Sequence, residues 1–133
     1  MNELKKILFI AEKIKLLENE INFLRTLLTK TTQELSPIPW TETGYKKNKL
    51  ESLTVRLIET EDRYKKLINA YQLRRQIAIR KILKIKNPNE MKVIYKRYIL
   101  GKTLTEIAEE MDFSYKWVQT LHKKGVSSYE NVI

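Results

Sequence analysis

The chain has 133 residues and no cysteine, and its 26 Lys/Arg against 16 Asp/Glu give a net charge of +10. This length fits one ordinary domain or a small domain with an extended arm. The absence of cysteine excludes disulfides, thiol chemistry and cysteine-based zinc sites. Only three glycines and three prolines accompany 42% hydrophobic residues. This composition favours long helices, so we predict an all-α fold.

The positive charge is concentrated in the second half of the chain. Residues 72–124 carry thirteen Lys/Arg and five Asp/Glu, whereas residues 1–71 carry thirteen and ten. Such an imbalance is typical of proteins that bind a polyanion, usually nucleic acid, and solvated helix faces are the alternative interpretation. No stretch forms a signal-peptide core or a membrane span of about 18 uncharged apolar residues. We therefore predict a cytoplasmic protein with no membrane partner.

The first 35 residues follow a seven-residue apolar repeat. Isoleucine dominates one row of the repeat and leucine the other, a combination that favours two-stranded packing in parallel coiled coils. The helix therefore needs a partner, which lies either in the same chain or across a dimer. The two rows are Ile7, Ile14, Ile21, Leu28 and Leu35, and Ile10, Leu17 and Leu24.

The prolines at 37 and 39 end this helix and predict a linker over about residues 36–45. A second long helix is predicted from about residue 46 to residue 86, and its first half can pack antiparallel on the first helix. Residues 1–86 are thus predicted to form a helical hairpin or coiled-coil arm, and residues 87–133 a separate module. The inner stripe of the second helix is Leu50, Leu53, Leu57, Tyr64, Leu67, Tyr71, Ala78 and Ile82.

Cap signals divide the remaining chain into three short helices. Asn87 is a predicted N-cap followed by Pro88 at the first helical position, and the helix runs to about Leu100. Gly101 then provides a left-handed residue that ends it. Thr103 caps the next helix, and a glutamate three residues later completes a capping box.

The last two helices have the apolar spacing of a helix-turn-helix. Ala108 lies where the second helix crosses the first, a position that requires a small side chain. Asp112 occupies the turn position with positive φ, which aspartate tolerates better than most residues. Ser114 caps the second helix. The predicted buried contacts are Leu104, Ile107, Ala108, Met111, Phe113, Val118 and Leu121.

The stretch "VIYKRYILGKTLTEIAEEMDFSYKWVQTLHKK" resembles region 4 of bacterial sigma factors. An arm with an "SP" linker before such a module is similar to small phage and prophage proteins, including the RinA and ArpU type late transcriptional regulators. Gly125 stands where the recognition helix often continues through alanine, which favours an early end near residue 124. The matching positions are Arg97, Tyr98, Gly101, Thr103, Glu106, Ile107, Ala108, Ser114 and Val118.

The outer face of the last helix is the predicted DNA-binding surface, and the resemblance to sigma region 4 implies the same face. Glutamine can bind adenine through two hydrogen bonds, and lysine can reach guanine acceptors or phosphates. Residues at the start of the preceding helix suit phosphate contacts. No cofactor or metal is predicted, and His122 is assigned no chemistry. The candidate residues are Lys102, Thr103, Ser114, Tyr115, Lys116, Gln119, Thr120 and Lys123.

The chain lacks catalytic motifs, so an enzyme is not predicted. The favoured hypothesis is a transcriptional regulator, a late-gene activator of a phage or prophage that reads the major groove with helix 115–124. Its expected partners are double-stranded DNA and a second copy of the chain, with RNA polymerase left open. The alternatives are a sigma-like interaction protein that binds polymerase or another regulator without reading DNA, and the small subunit of a terminase.

Overall fold

The computed structural model describes residues 2–34 and 40–133, and the side chains of residues 2–33 and 47–133. This part of the chain contains helices and no strand, which confirms the all-α prediction. A π-helical turn, Tyr95–Ile99, continues the third helix. The α-helices are α1 (Glu3–Glu34), α2 (Trp40–Ile82), α3 (Pro88–Ile94), α4 (Leu104–Met111) and α5 (Tyr115–Glu130).

The chain folds into two compact units. The head unit contains Met1–Ala11 and Ala70–Ile133, and the hairpin unit contains Glu12–Asn69. Fifteen of the Lys/Arg residues and seven of the Asp/Glu residues belong to the head unit, which therefore carries most of the positive charge. The predicted domain boundary after residue 86 stays a prediction.

Within the hairpin unit, α1 and α2 pack through an apolar core of Ile21, Leu24, Leu53 and Leu57. The Tyr64 hydroxyl donates a hydrogen bond to the Glu18 carboxylate at 2.9 Å. The repeat of α1 thus supplies contacts inside one chain, while its last member, Leu35, lies outside the described residues. Association with a second chain stays a prediction.

Helix α2 differs from its predicted bounds at both ends. It begins at Trp40, so residues 40–45 of the predicted linker are helical, while residues 36–39 lie outside the described residues. Helix α2 contains no proline, and its single Gly44 costs about 1 kcal/mol relative to alanine, which a 43-residue helix can absorb. Helix α2 ends at Ile82, four residues before the predicted end.

The head unit has two apolar cores. The larger one combines residues from α1, α2, the connection from α2 to α3, α3, the π-helical turn and α5: Leu4, Ile7, Ala78, Ile82, Ile85, Ile94, Tyr98, Ile99 and Tyr129. The smaller one joins α3, α4 and α5 through Val93, Ile107, Ala108, Val118 and Leu121. The first turns of α1 are therefore an integral part of the unit that contains the three short helices.

A polar cluster links three elements of the head unit. The Glu3 carboxylate accepts hydrogen bonds from the Lys81 ammonium at 3.1 Å and from the Tyr129 hydroxyl at 3.0 Å. Burial opposes ionisation of Glu3, but the two hydrogen bonds and the positive charges of Lys81 and Arg74 together outweigh it and lower the pKa of Glu3. The same cluster raises the pKa of Tyr129, through burial and through the bond to Glu3. Glu3 thereby ties α1 to both α2 and α5.

Candidate nucleic-acid interface

Helix α3 begins as predicted. The Asn87 side chain accepts hydrogen bonds from the backbone N–H groups of Asn89 and Glu90, at 2.9 and 3.2 Å, and Pro88 is the first helical residue. The first of the three short helices is therefore fixed by its own cap, independently of the two that follow.

The π-helical turn after α3 is a feature that the sequence analysis did not predict. The Leu100 N–H donates to the Tyr95 carbonyl, five residues earlier, at 3.2 Å. In a regular α-helix, residues five positions apart point in clearly different directions, since one turn takes 3.6 residues. The wider turn allows Ile94 and Ile99 to enter the same apolar core.

The connection from the π-helical turn to α4 is held by backbone geometry and by Arg97. Gly101 has a φ of +71°, as predicted for the residue that ends the helix. The Arg97 guanidinium donates to the Lys102 carbonyl at 3.0 Å. The Thr103 hydroxyl accepts from the Glu106 N–H at 3.2 Å, which confirms Thr103 as the N-cap of α4. The start of α4 is therefore well defined.

The turn between α4 and α5 has the predicted geometry. Asp112 has a φ of 59°, in the left-handed region, and ends α4. Ser114 then caps α5, and its hydroxyl accepts from the Trp117 N–H at 3.2 Å. Both predictions are confirmed.

The prediction that α5 ends near residue 124 is wrong. The helix passes through Gly125 and continues to Glu130. Gly125 is buried against α3, and a Cβ atom there would lie 2.6 Å from Cγ1 of Ile94. The glycine is therefore a packing residue that lets α3 and α5 approach closely. The Ser128 hydroxyl reinforces this contact by donating to the buried Glu90 carboxylate at 2.9 Å.

The structure brings most of the predicted DNA-binding residues together on one face of α5. The opposite face is buried through Val118 and Leu121. Two predicted residues also have structural roles, since Ser114 is the cap and the Thr120 hydroxyl donates to the Lys116 carbonyl at 3.1 Å. The exposed residues are Ser114, Tyr115, Lys116, Gln119 and Lys123, with Thr120 half-buried beside them.

Lys102, a predicted phosphate-binding residue, already has a partner within the protein. Its ammonium donates a hydrogen bond to the Glu110 carboxylate, whose oxygen also lies 3.5 Å from the Lys96 ammonium. The bond from Lys102, and the nearby charges of both lysines, lower the pKa of Glu110. A phosphate must therefore compete with Glu110 for Lys102. Thr103 is exposed, but its hydroxyl is engaged as the cap of α4.

Sequence reasoning missed the role of His122. Its Nε2 atom lies 2.7 Å from the Tyr98 hydroxyl, and the two rings stack with centroids 5.6 Å apart. Burial lowers the pKa of His122, and the positive charges of Arg97 and Lys5 lower it further. Tyr98 is part of the sigma-like motif, but its partner lies 24 residues away, and no spacing signal connects them.

Trp117 is 43% exposed, with the Lys124 ammonium 5.9 Å from the ring centroid.

An apolar groove lies on a part of the head unit that the sequence analysis did not single out. It has a volume of about 410 Å³, and its two leucines, Leu83 and Leu100, are 68% and 48% exposed. The lysines at 92 and 96 give it a basic rim. The groove is lined by Ile82, Leu83, Met91, Lys92, Tyr95, Lys96 and Leu100.

Helices α4 and α5, their left-handed turn and their shared core define a helix-turn-helix protein. Residues 87–128 match the family described as Sigma-70, region 4, which covers about a third of the chain. Searches of curated proteins and of solved structures found no match. The module is thus similar to sigma region 4, a resemblance that indicates a DNA-binding regulator.

No helix formed by residues 2–34 and 40–133 is both long enough and apolar enough to cross a membrane. No group of three or more histidine, aspartate or glutamate side chains among them is arranged to hold a metal ion.

Proposed function

We propose that the chain is a DNA-binding transcriptional regulator, a cytoplasmic late-gene activator of a phage or prophage. In this proposal α5 enters the major groove and reads bases with residues 115–124. The DNA-binding residues are those of the sequence analysis. Gln119 and Lys116 contact bases, and Thr103 and Lys123 contact phosphates. Lys102 joins them once a phosphate displaces it from Glu110.

One observation carries the proposal: the exposed face of α5 combines base-reading and phosphate-binding side chains inside a module similar to sigma region 4. The buried face fixes the helix through Val118 and Leu121, both of which are almost fully buried. The side chains that would meet DNA are therefore presented by a rigid element, as base recognition requires. The net positive charge of the head unit favours the approach of a duplex.

A binding selection on genomic DNA fragments, followed by footprinting, tests this proposal. Gln119→Ala is expected to weaken binding to the selected site by about 5- to 150-fold, because a bidentate glutamine–adenine pair contributes about 1–3 kcal/mol. Gln33→Ala, an exposed glutamine of the hairpin unit, is the matched control and should bind like the wild type. Sequence-independent protection, or equal binding by both variants, would contradict base reading by Gln119.

We also propose that the regulator is a dimer. Leu16 and Phe23 on α1 of the hairpin unit are more than half exposed, and they lie seven residues apart on one face. A second copy would cover them, and two recognition helices would then read half-sites about 10 bp apart or a multiple of that spacing. Solution mass tests this: a dimer that Phe23→Glu converts to a monomer supports it. A wild-type monomer contradicts it, and a larger ring favours the terminase alternative.

A second candidate function is protein binding without DNA reading, and the apolar groove favours it. Its basic rim complements an apolar polymerase segment flanked by acidic residues. Leu83→Asp places a charge on an exposed wall of the groove and should abolish capture by purified RNA polymerase, whereas Leu73→Asp, at a similarly exposed leucine of α2, should not. Polymerase capture that depends on Leu83, with no DNA binding by the wild type, would favour this function over the first.

A further inference from the structure

The first turns of α1 belong to the same unit as the recognition helix. Leu4 and Ile7 are fully buried in the larger core with Tyr98 and Tyr129. Glu3 adds its hydrogen bond to Tyr129, close to the end of α5. The beginning of the chain is thereby held against α5 by both apolar and polar contacts.

Tyr98 of the same core also stacks on His122, with Nε2 of His122 2.7 Å from the Tyr98 hydroxyl, so the first turn of α1 packs close to His122 on α5. Successive residues of a helix are 100° apart, so Lys5 is on a different side of α1 from Glu3, which contacts Tyr129. The charge of Lys5 acts on His122, as does that of Arg97. His122 is less than one helical turn from Gln119 and adjacent to Lys123.

Lys5 has the properties of a lysine available to an anion. It is exposed, and within the described part of the chain its ammonium takes part in no ion pair. The Arg97 guanidinium lies 6.0 Å from the centroid of the Tyr98 ring, and the exposed Lys123 directly follows His122, so this edge of the interface concentrates positive charge. Lys102 in contrast is already bound to Glu110.

We propose that Lys5 contacts a DNA phosphate beside the groove that α5 enters, so that the first turn of α1 is a second DNA-contacting element. A major groove is about 12 Å wide, so a helix seated in it has phosphates on both sides within reach of flanking side chains. Lys5 positions the duplex and reads no sequence. This inference rests on the proposed function.

The salt dependence of binding to a 30-bp duplex of arbitrary sequence tests the inference. Each phosphate contact adds about 0.9 to the slope of log K against log salt concentration, so Lys5→Gln should reduce the slope by about that amount. Lys6→Gln is the matched control, because Lys6 is also exposed but lies on another side of α1. An unchanged slope for Lys5→Gln, or an equal reduction in both variants, overturns the inference.

His122 provides an independent measurement, since it is the only histidine in the chain. In an NMR titration, Lys5→Gln should raise the pKa of His122 in the free protein, because a repelling charge is removed. Addition of the duplex should raise the wild-type pKa more than that of the variant, because only the wild type holds a phosphate at Lys5. Equal increases in both proteins overturn the inference. Wild-type protein that binds no DNA at all overturns the proposed function itself.

Discussion

Gly125→Ala tests whether the close approach of α3 and α5 sets the position of the recognition helix. In an exposed helix interior, this change would stabilise the protein by about 1 kcal/mol, because alanine is the better helix former. Here the new Cβ would lie 2.6 and 2.9 Å from two side-chain atoms of Ile94 and 3.3 Å from the Glu90 carbonyl oxygen. Ile94 is fully buried and has little room to move.

The expected net effect is a loss of up to about 2 kcal/mol of unfolding free energy. Overpacking of a dense core costs about 1–3 kcal/mol, and the gain in helix propensity offsets only part of it. Since 1 kcal/mol corresponds to about 4 °C in a protein of this size, Tm should fall by up to about 8 °C.

Urea denaturation followed by circular dichroism measures the effect, and a double-mutant cycle identifies its cause. Ile94→Ala removes both close contacts, so Gly125→Ala should be neutral or stabilising in that background. Ile94→Val removes only the Cδ1 contact and should give partial relief, which keeps the cycle usable if the alanine variant unfolds. Stabilisation of the wild-type protein by Gly125→Ala, or an equal loss in every background, would refute the steric argument.

Two further predictions concern the turn and the buried histidine. Asp112→Gly should raise the unfolding free energy by up to about 1 kcal/mol, because glycine adopts the left-handed conformation without strain; a loss in urea denaturation would contradict this. The Tm should fall between pH 7.5 and pH 5.5, because the unfolded chain binds a proton near pH 6.5 whereas burial, Arg97 and Lys5 lower the pKa of folded His122. His122→Gln should be insensitive to pH in this window, and a flat wild-type profile would oppose the assignment.

Local chemistry made much of the head unit predictable from the sequence. A cap depends on one side chain and on backbone N–H groups within three residues, so Asn87, Thr103 and Ser114 could each be identified from their neighbours. The turn at Asp112 is equally local, because few residues tolerate positive φ. Apolar spacing alone was sufficient to predict the core that joins α4 and α5.

The remaining features depend on residues that are distant in the chain. Gly125 resembles a helix terminator until Ile94 is placed against it. From the sequence, His122 is either a surface or a packing residue, and only the approach of Tyr98 decides between the two. The heptad pattern of the first helix predicted packing against another helix, but nothing in that pattern indicates that Leu4 belongs with the recognition module. Such pairings arise from tertiary packing, which single-sequence periodicity does not encode.

The hydrogen bond between Glu3 and Tyr129 closes a loop of 126 residues and has an evolutionary consequence. A fragment starting at residue 87 would retain the family-matched segment but leave Ile94, Tyr98 and Tyr129 without their partners from α1 and α2. Recombination that exchanged only this segment between genomes would expose an unpaired apolar surface. Lineages that keep the head unit are therefore expected to inherit its first and last helices together, as a single selectable unit.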